Sequence, residues 1–174
     1  MNLLDPTLWA LWCGCLLLLM AASVNARTLR VPNQLTLPAL LSGLLLALVI
    51  GSSTGTPTHG GGLVPSLGAA IVGLLLLVPF YANHGLGAGC VKMQMAFGAW
   101  AGCALGLRAA VLVTGLATVV GVLLTTIAAS LFVATHRLRP YMEQTYDAYL
   151  FPAQITLSLG SICGVILAGV LGWL

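Results

Sequence analysis

Charge is nearly missing from this sequence. Lys, Arg, Asp and Glu together make up 5% of the 174 residues, and only 3 of them are acidic. A soluble domain carries about a quarter charged residues, and a helical bundle in water would lack, at this composition, the polar side chains to cover its outside. The shortage of Lys and Arg also argues against nucleic acid as a partner. That binding calls for a basic stripe, whereas the net charge here is +3 and dispersed. Metal-ligand spacing is missing too, because the 5 cysteines fit no zinc pattern. Cys13 and Cys15 are two apart and point to different faces of a helix; with Cys103 and Cys163 they read as apolar packing residues. Met1 to Pro6 holds no Lys or Arg, and no small-residue cleavage site follows. The N-terminal apolar run is therefore expected to be a permanent span rather than a secretory signal.

What the chain has in abundance is apolar length. Hydrophobic residues make up 60% of it, the mean hydropathy is +1.09, and runs of roughly 20 apolar residues recur, matching the hydrocarbon thickness of a bilayer. In lipid the backbone must pair within each segment, so these runs are expected to be helices. The prediction is an all-α membrane protein, a bundle of about six transmembrane helices in one domain over residues 1–174. The spans are expected near 8–22, 35–50, 63–80, 91–107, 109–134 and 152–174, with a polar turn, SVNARTLRVPNQ, after the first and an exposed loop, GSSTGTPTHGGG, after the second. Positive charge sorts among the loops: Arg27 and Arg30 in the first, Lys92 beside the third, Arg137 and Arg139 in the fifth. Positive loops face the cytoplasm, so both termini are expected outside and the odd loops inside, in a multi-pass protein of the bacterial or archaeal cytoplasmic membrane. Gly98, Gly102 and Gly106 fall four apart, as do Gly160 and Gly164. Such ridges admit a close neighbour helix, either in a dimer or, as expected for a chain with this many spans, within the bundle.

The stretch FYANHGLGAGCVKMQM, residues 80–95, draws the most attention. Gly85, Gly87 and Gly89 alternate, and a residue without Cβ lets the backbone approach a bound peptide closely or turn at positive φ. With its flanks the stretch resembles the GxGD loop of type IV prepilin peptidases, whose signature reads GMGAGDVKL. A second segment, VNARTLRVPNQLTLP, is similar to that family's D-x6-P-N-x-L-T-L-P. A third, FPAQITLSLGSICG, resembles its closing helix. Three such segments in order, with matching topology, make the kinship specific where a lone G-x-G would not.

The resemblance implies an aspartic-type endopeptidase that cleaves the leader of pilin-like precursors with two aspartates. Like-charge repulsion splits their pKa values so that one carboxyl is protonated and the other ionised. Position by position, the first aspartate falls on Asn25, seven residues before Pro32, and the second on Cys90. Asparagine can hold a water but cannot take its proton, and a thiol in apolar surroundings is a poor substitute for a carboxyl. General acid–base catalysis contributes about 10²–10⁴-fold, and the missing pair supplied both acid and base. The carried-over leader contacts are Pro32, Asn33, Gly85, Gly87, Gly89 and Lys92. Asp5 is expected on the opposite side of the membrane, and Glu143 and Asp147 read as a solvated loop face. The short form of the family lacks the cytoplasmic zinc module that accompanies N-methylation, so no zinc, no other cofactor and no methyl transfer are expected.

Three readings stand open on sequence. The first is a peptidase-like protein without its aspartates, a pseudoenzyme that binds a pilin-like precursor or helps the pilus or secretion machinery. The second is a prepilin leader peptidase whose aspartates at 25 and 90 have been replaced deliberately. The third is a Cys90-dependent hydrolase or a small membrane transport or scaffold protein. For thiol chemistry, Cys90 lies six residues after His84, and Lys92 stands close by. Against it, no oriented base or oxyanion site is visible; His84, His59 and His136 read as loop residues, and Met93 and Met95 as packing. Lys92 reads equally as a contact to leader or lipid phosphate and as a cytoplasmic-side anchor.

Overall fold

The computed structural model describes residues 6–28, 31–53, 61–82, 86–137 and 153–170. They form six α-helices: α1 Pro6–Thr28, α2 Asn33–Ser53, α3 Leu63–Ala82, α4 Ala88–Ala104, α5 Leu107–Arg137 and α6 Ala153–Val170. No strand occurs among the described residues, so the expected all-α membrane fold is the observed one. Three helices are long and apolar enough to cross a membrane: α2 over Asn33–Gly51, α3 over Leu63–Ala82 and α5 over Leu107–Ala128. The apolar part of α1, Trp9–Asn25, is shorter. Leu45, Leu75 and Leu123 lie exposed on α2, α3 and α5, the surface that lipid tails solvate as readily as a core would.

The helix ends differ from the sequence expectation where polarity alone marked them. The first span was expected to stop near Ala22, yet α1 continues to Thr28. Nothing in Ser-Val-Asn-Ala-Arg-Thr breaks a helix. The first breaker is Pro32, which bars αR from the residue before it. Position 25 therefore lies in the last turn of a helix rather than in a turn between helices. At the other end of the candidate site, α4 begins three residues earlier than expected, so Cys90 belongs to its first turn. α4 also ends earlier, at Ala104, leaving Gly106 outside the helix; the Leu105 N–H closes it onto the Ala101 carbonyl at 2.8 Å.

α4 is the centre of the bundle and packs against each of the other five helices. Most of its residues are buried, with Phe97 and Met93 among the largest side chains fully enclosed. Small residues make this possible. A Cβ added at Gly98 would run into the Ala69 carbonyl, and one at Gly102 into the backbone of Pro65 and Ser66. The ridge thus serves the α3–α4 contact inside the bundle. Gly160 of α6 meets Gly121 of α5 backbone to backbone in the same way. Trp100 fills the space between α1 and α2, against Gly14 and Gly43, and its Nε1–H donates to the Ala39 carbonyl at 2.9 Å. Of the cysteines, Cys15 and Cys103 are buried and Cys13 is half-buried, but Cys163 is exposed on the outer face of α6 rather than packed.

Candidate functional site

The two stretches singled out in sequence come together at one end of the bundle. After α1, Val31 and Pro32 lead into α2, and the Pro32 carbonyl accepts the N–H groups of Leu35 and Thr36 at 3.0 and 3.3 Å. The start of α4 lies against this link. A Cβ at Gly89 would stand 2.7 Å from both the Cβ and the carbonyl oxygen of Val31, so only glycine fits without movement. Lys92 fastens the same junction from the next turn, its Nζ donating to the Oδ1 of Asn33 at 2.8 Å. The hydrogen bond joins residues 59 apart in sequence, and the glycine contact residues 58 apart.

The glycines of the loop do different things. Gly87 is the N-cap of α4, at φ −76° and ψ 148°, with no side-chain cap. Its carbonyl accepts the Cys90 N–H at 3.0 Å, and a Cβ added there would meet nothing among the described residues. Its backbone is ordinary extended chain, so positive φ is not the reason for glycine at 87. Gly89 is glycine because of Val31. Gly85 and His84 lie outside the described residues, as do Asp5, His59, Glu143 and Asp147. None of the three acidic residues therefore falls within the described structure.

Asn25 is 4% exposed, and its Oδ1 is buried with no hydrogen-bond partner among the described residues. A buried acceptor left without a donor costs about 1–3 kcal/mol. Cys90 is 5% exposed and shares an apolar cluster with Leu77, Leu86, Val91 and Leu157. Pro32, Asn33 and Gly87 are exposed, while Gly89 and Lys92 are half-buried. Pro32, Asn33 and Gly87 are thus open to a ligand, whereas Asn25 and Cys90, the positions that the resemblance sets against the family's aspartates, are enclosed. An amide and a thiol at these positions can hold and orient polar atoms but cannot trade a proton as two carboxyls do. No group of three or more metal-ligating side chains gathers among the described residues.

One polar layer escaped the sequence reading. Gln94, one helical turn beyond Cys90, is 1% exposed. Its Nε2 donates to Thr118 Oγ1 on α5 at 3.0 Å, and its Oε1 accepts from Ser161 Oγ on α6 at 3.3 Å. Thr118 Oγ1 in turn donates to the Thr114 carbonyl at 2.7 Å. The available signal was a lone amide inside an apolar run, VKMQMAFGAW, since a polar side chain within a membrane is expensive unless something satisfies it.

No curated protein and no solved structure matches the chain. A family match does exist; it runs from the second turn of α1 to the end of α5 and leaves α6 outside. By that match, over residues 12–138, the chain belongs to the type IV leader peptidase family.

Proposed function

We propose that this chain is a peptidase-like membrane protein that binds type IV pilin-like precursors without cleaving them. The observation that carries the reading is the state of the junction between α1–α2 and α4. Its frame is intact, with Gly89 seated on Val31 and Lys92 bonded to Asn33, while the family's two aspartate positions hold Asn25 and Cys90. In this reading Pro32, Asn33, Gly85, Gly87, Gly89 and Lys92 line the leader's path. The partnerless Oδ1 of Asn25 offers an acceptor to a peptide N–H of the leader. The protein spans the cytoplasmic membrane several times, with the odd loops and the site facing the cytoplasm, and the precursor's apolar helix lies along the bundle in the bilayer.

A second reading shares the frame: a leader peptidase whose native aspartates at 25 and 90 are replaced in this sequence. It is favoured because the other departures from the quoted glycine-loop signature, Leu86 and Met93, only exchange one apolar residue for another. A thiol hydrolase fits less well, since Cys90 sits in an apolar cluster and not in an electropositive, partly exposed setting of the kind that activates a thiol.

One co-expression experiment separates these. The chain and a panel of pilin-like precursors, the cognate one included, are followed by the mobility shift of leader removal and by crosslinking. The unaltered chain is expected to crosslink the precursor and leave it uncut. Asn25→Asp with Cys90→Asp is expected to restore cleavage if the site is a disarmed peptidase, and neither change alone is, because the mechanism needs the pair. Cleavage by the unaltered chain that disappears in Cys90→Ser would overturn the proposal in favour of thiol chemistry. Absence of any crosslink to the cognate precursor would remove the binding function.

A further inference from the structure

The polar layer under position 90 has a geometry of its own. Along α4, Cys90 and Gln94 are four residues apart and so lie on one face, one above the other. Their neighbours repeat the same step. Cys90 shares its cluster with Leu157 of α6 and Val122 of α5. Gln94 bonds Ser161 of α6 and Thr118 of α5. Each pair, 157 with 161 and 118 with 122, is again four apart. An apolar layer and a polar layer are therefore stacked, one helical turn apart, and built from the same three helices. The polar layer lies level with the middle of α3, because a Cβ added at Gly73 would come 2.9 Å from the Gln94 carbonyl oxygen.

Apolar contacts attract without direction, and between helices in lipid they carry no hydrophobic drive of their own. They set distance but do little to set rotation. The other contacts of the first turn of α4 lie off that face: Gly87 supplies no side-chain cap, Gly89 packs its backbone on Val31, and Lys92 reaches α2 from another side of the helix. Gln94 is the nearest residue on Cys90's own face with directional bonds, and it bonds two helices at once. Serine, threonine and glutamine hydrogen bonds between membrane helices are worth about 0.6–2 kcal/mol each, enough to select one rotation over its neighbours.

We infer that Gln94 is a positioning residue for position 90, holding the face of α4 that presents that side chain by bonds to Thr118 and Ser161. α6, which lies beyond the family match, thereby becomes part of the site's support. The inference takes position 90 to belong to the site named under the proposed function. Its test reads the thiol directly and needs no precursor, so the two can fail separately.

Two single-cysteine proteins are prepared in detergent, one keeping only Cys90 and the other only Cys103, with the remaining cysteines changed to alanine. The rate of alkylation by N-ethylmaleimide is measured in each. Gln94→Met keeps the shape and removes the bonds. It is expected to raise the Cys90 rate about tenfold, equivalent to ~1.4 kcal/mol, and to leave Cys103, further along the same helix, within about twofold. Ser161→Ala is expected to move Cys90 in the same direction by less. Joined to Gln94→Met it should add nothing, because both remove one shared interaction. An equal rise at both cysteines means general loosening of the bundle and overturns the inference, as does an unchanged Cys90 rate. If Gln94→Met yields no folded protein, Ser161→Ala carries the same comparison, and an unchanged ratio of the two rates in that variant is equally decisive against it.

Discussion

The sharpest contrast in the molecule lies between two glycines two residues apart, and one substitution made at both tests it. A serine at 89 places its Cβ 2.7 Å from the Cβ and the carbonyl oxygen of Val31. Carbon atoms at rest stand about 3.5–4.0 Å apart, so α4 and the link into α2 must separate by roughly 1 Å, or Val31 must shift by as much. Overpacking of this kind costs about 1–3 kcal/mol. Replacing glycine in a helix returns part of that, at most about 1 kcal/mol, leaving a net loss of about 1–2 kcal/mol. A serine Cβ at 87 meets nothing within 4 Å among the described residues and inherits φ −76°. It also supplies the N-cap oxygen that α4 lacks, a gain of a few tenths of a kcal/mol. For a chain of this size each kcal/mol moves the melting point by roughly 2–4 °C. Thermal unfolding in detergent should therefore show Gly89→Ser lower by about 2–8 °C and Gly87→Ser within about 2 °C of the parent. If Gly87 is kept small so that a leader can approach, Gly87→Ser should still weaken precursor crosslinking while the fold is unharmed. Equal melting shifts for the two serines would refute the reasoning, because they would show that the Val31 contact does not constrain position 89.

Three further outcomes follow from other parts of the bundle. Gly98→Leu should prevent recovery of folded, monodisperse protein by gel filtration, since even a Cβ there meets the Ala69 carbonyl; Gly115→Ala, facing open space on α5, should be neutral or stabilising by up to about 1 kcal/mol. Trp100→Phe should cost about 0.5–1.5 kcal/mol in the melting transition for the lost bond to Ala39, and Trp100→Ala about 3–5 kcal/mol for the emptied space. Impermeant thiol labelling of intact cells should reach a cysteine placed at Thr58 and miss one placed at Thr145, as the distribution of Lys and Arg requires; the reverse pattern would invert the topology.

Much of the fold was legible because a bilayer leaves few choices. The apolar runs near 35–50, 63–80 and 109–134 became α2, α3 and α5 almost residue for residue, since in lipid an apolar run of this length has to be helical. The Gly98–Gly102 ridge was legible as close packing for the same reason. Its partner was not, because nothing local says that Ala69 and Ser66 face it. Helix ends were read less well. Ser23, Asn25 and Arg27 looked like a turn because they are polar, but polarity at the membrane edge ends a span without ending a helix, and α1 runs on to Thr28. The candidate site was named by resemblance, through Asn25 and Cys90, and the structure adds that both are buried. The reasons for its glycines were not, because Val31 meets Gly89 from 58 residues away. Gln94 was overlooked because its partners, Thr118 and Ser161, are 24 and 67 residues off, and each alone is an unremarkable hydroxyl in an apolar helix.

The chemistry of position 25 bears on why it should hold an asparagine at all. For folding alone, an amide there is a poor choice. It is enclosed at the end of α1, and its Oδ1 finds no donor among the described residues, a cost of about 1–3 kcal/mol that an apolar side chain of similar size would not incur. The cysteine at 90 carries no such penalty, since a thiol packs as a small hydrophobe and its neighbours are leucine and valine. The two departures from the family's aspartates are therefore physically unlike. Cys90 packs in an apolar cluster, and Asn25 buries an acceptor without a donor among the described residues. Under the proposed function, a bound peptide N–H would offset that cost in the complex and only there, and the asparagine would then serve binding and not folding. If so, Asn25→Leu should stabilise the free protein and weaken precursor crosslinking, whereas Cys90→Ala should change binding little. Loss of stability in Asn25→Leu would mean that the amide is satisfied within the bundle, and the argument from its orphaned oxygen would fall.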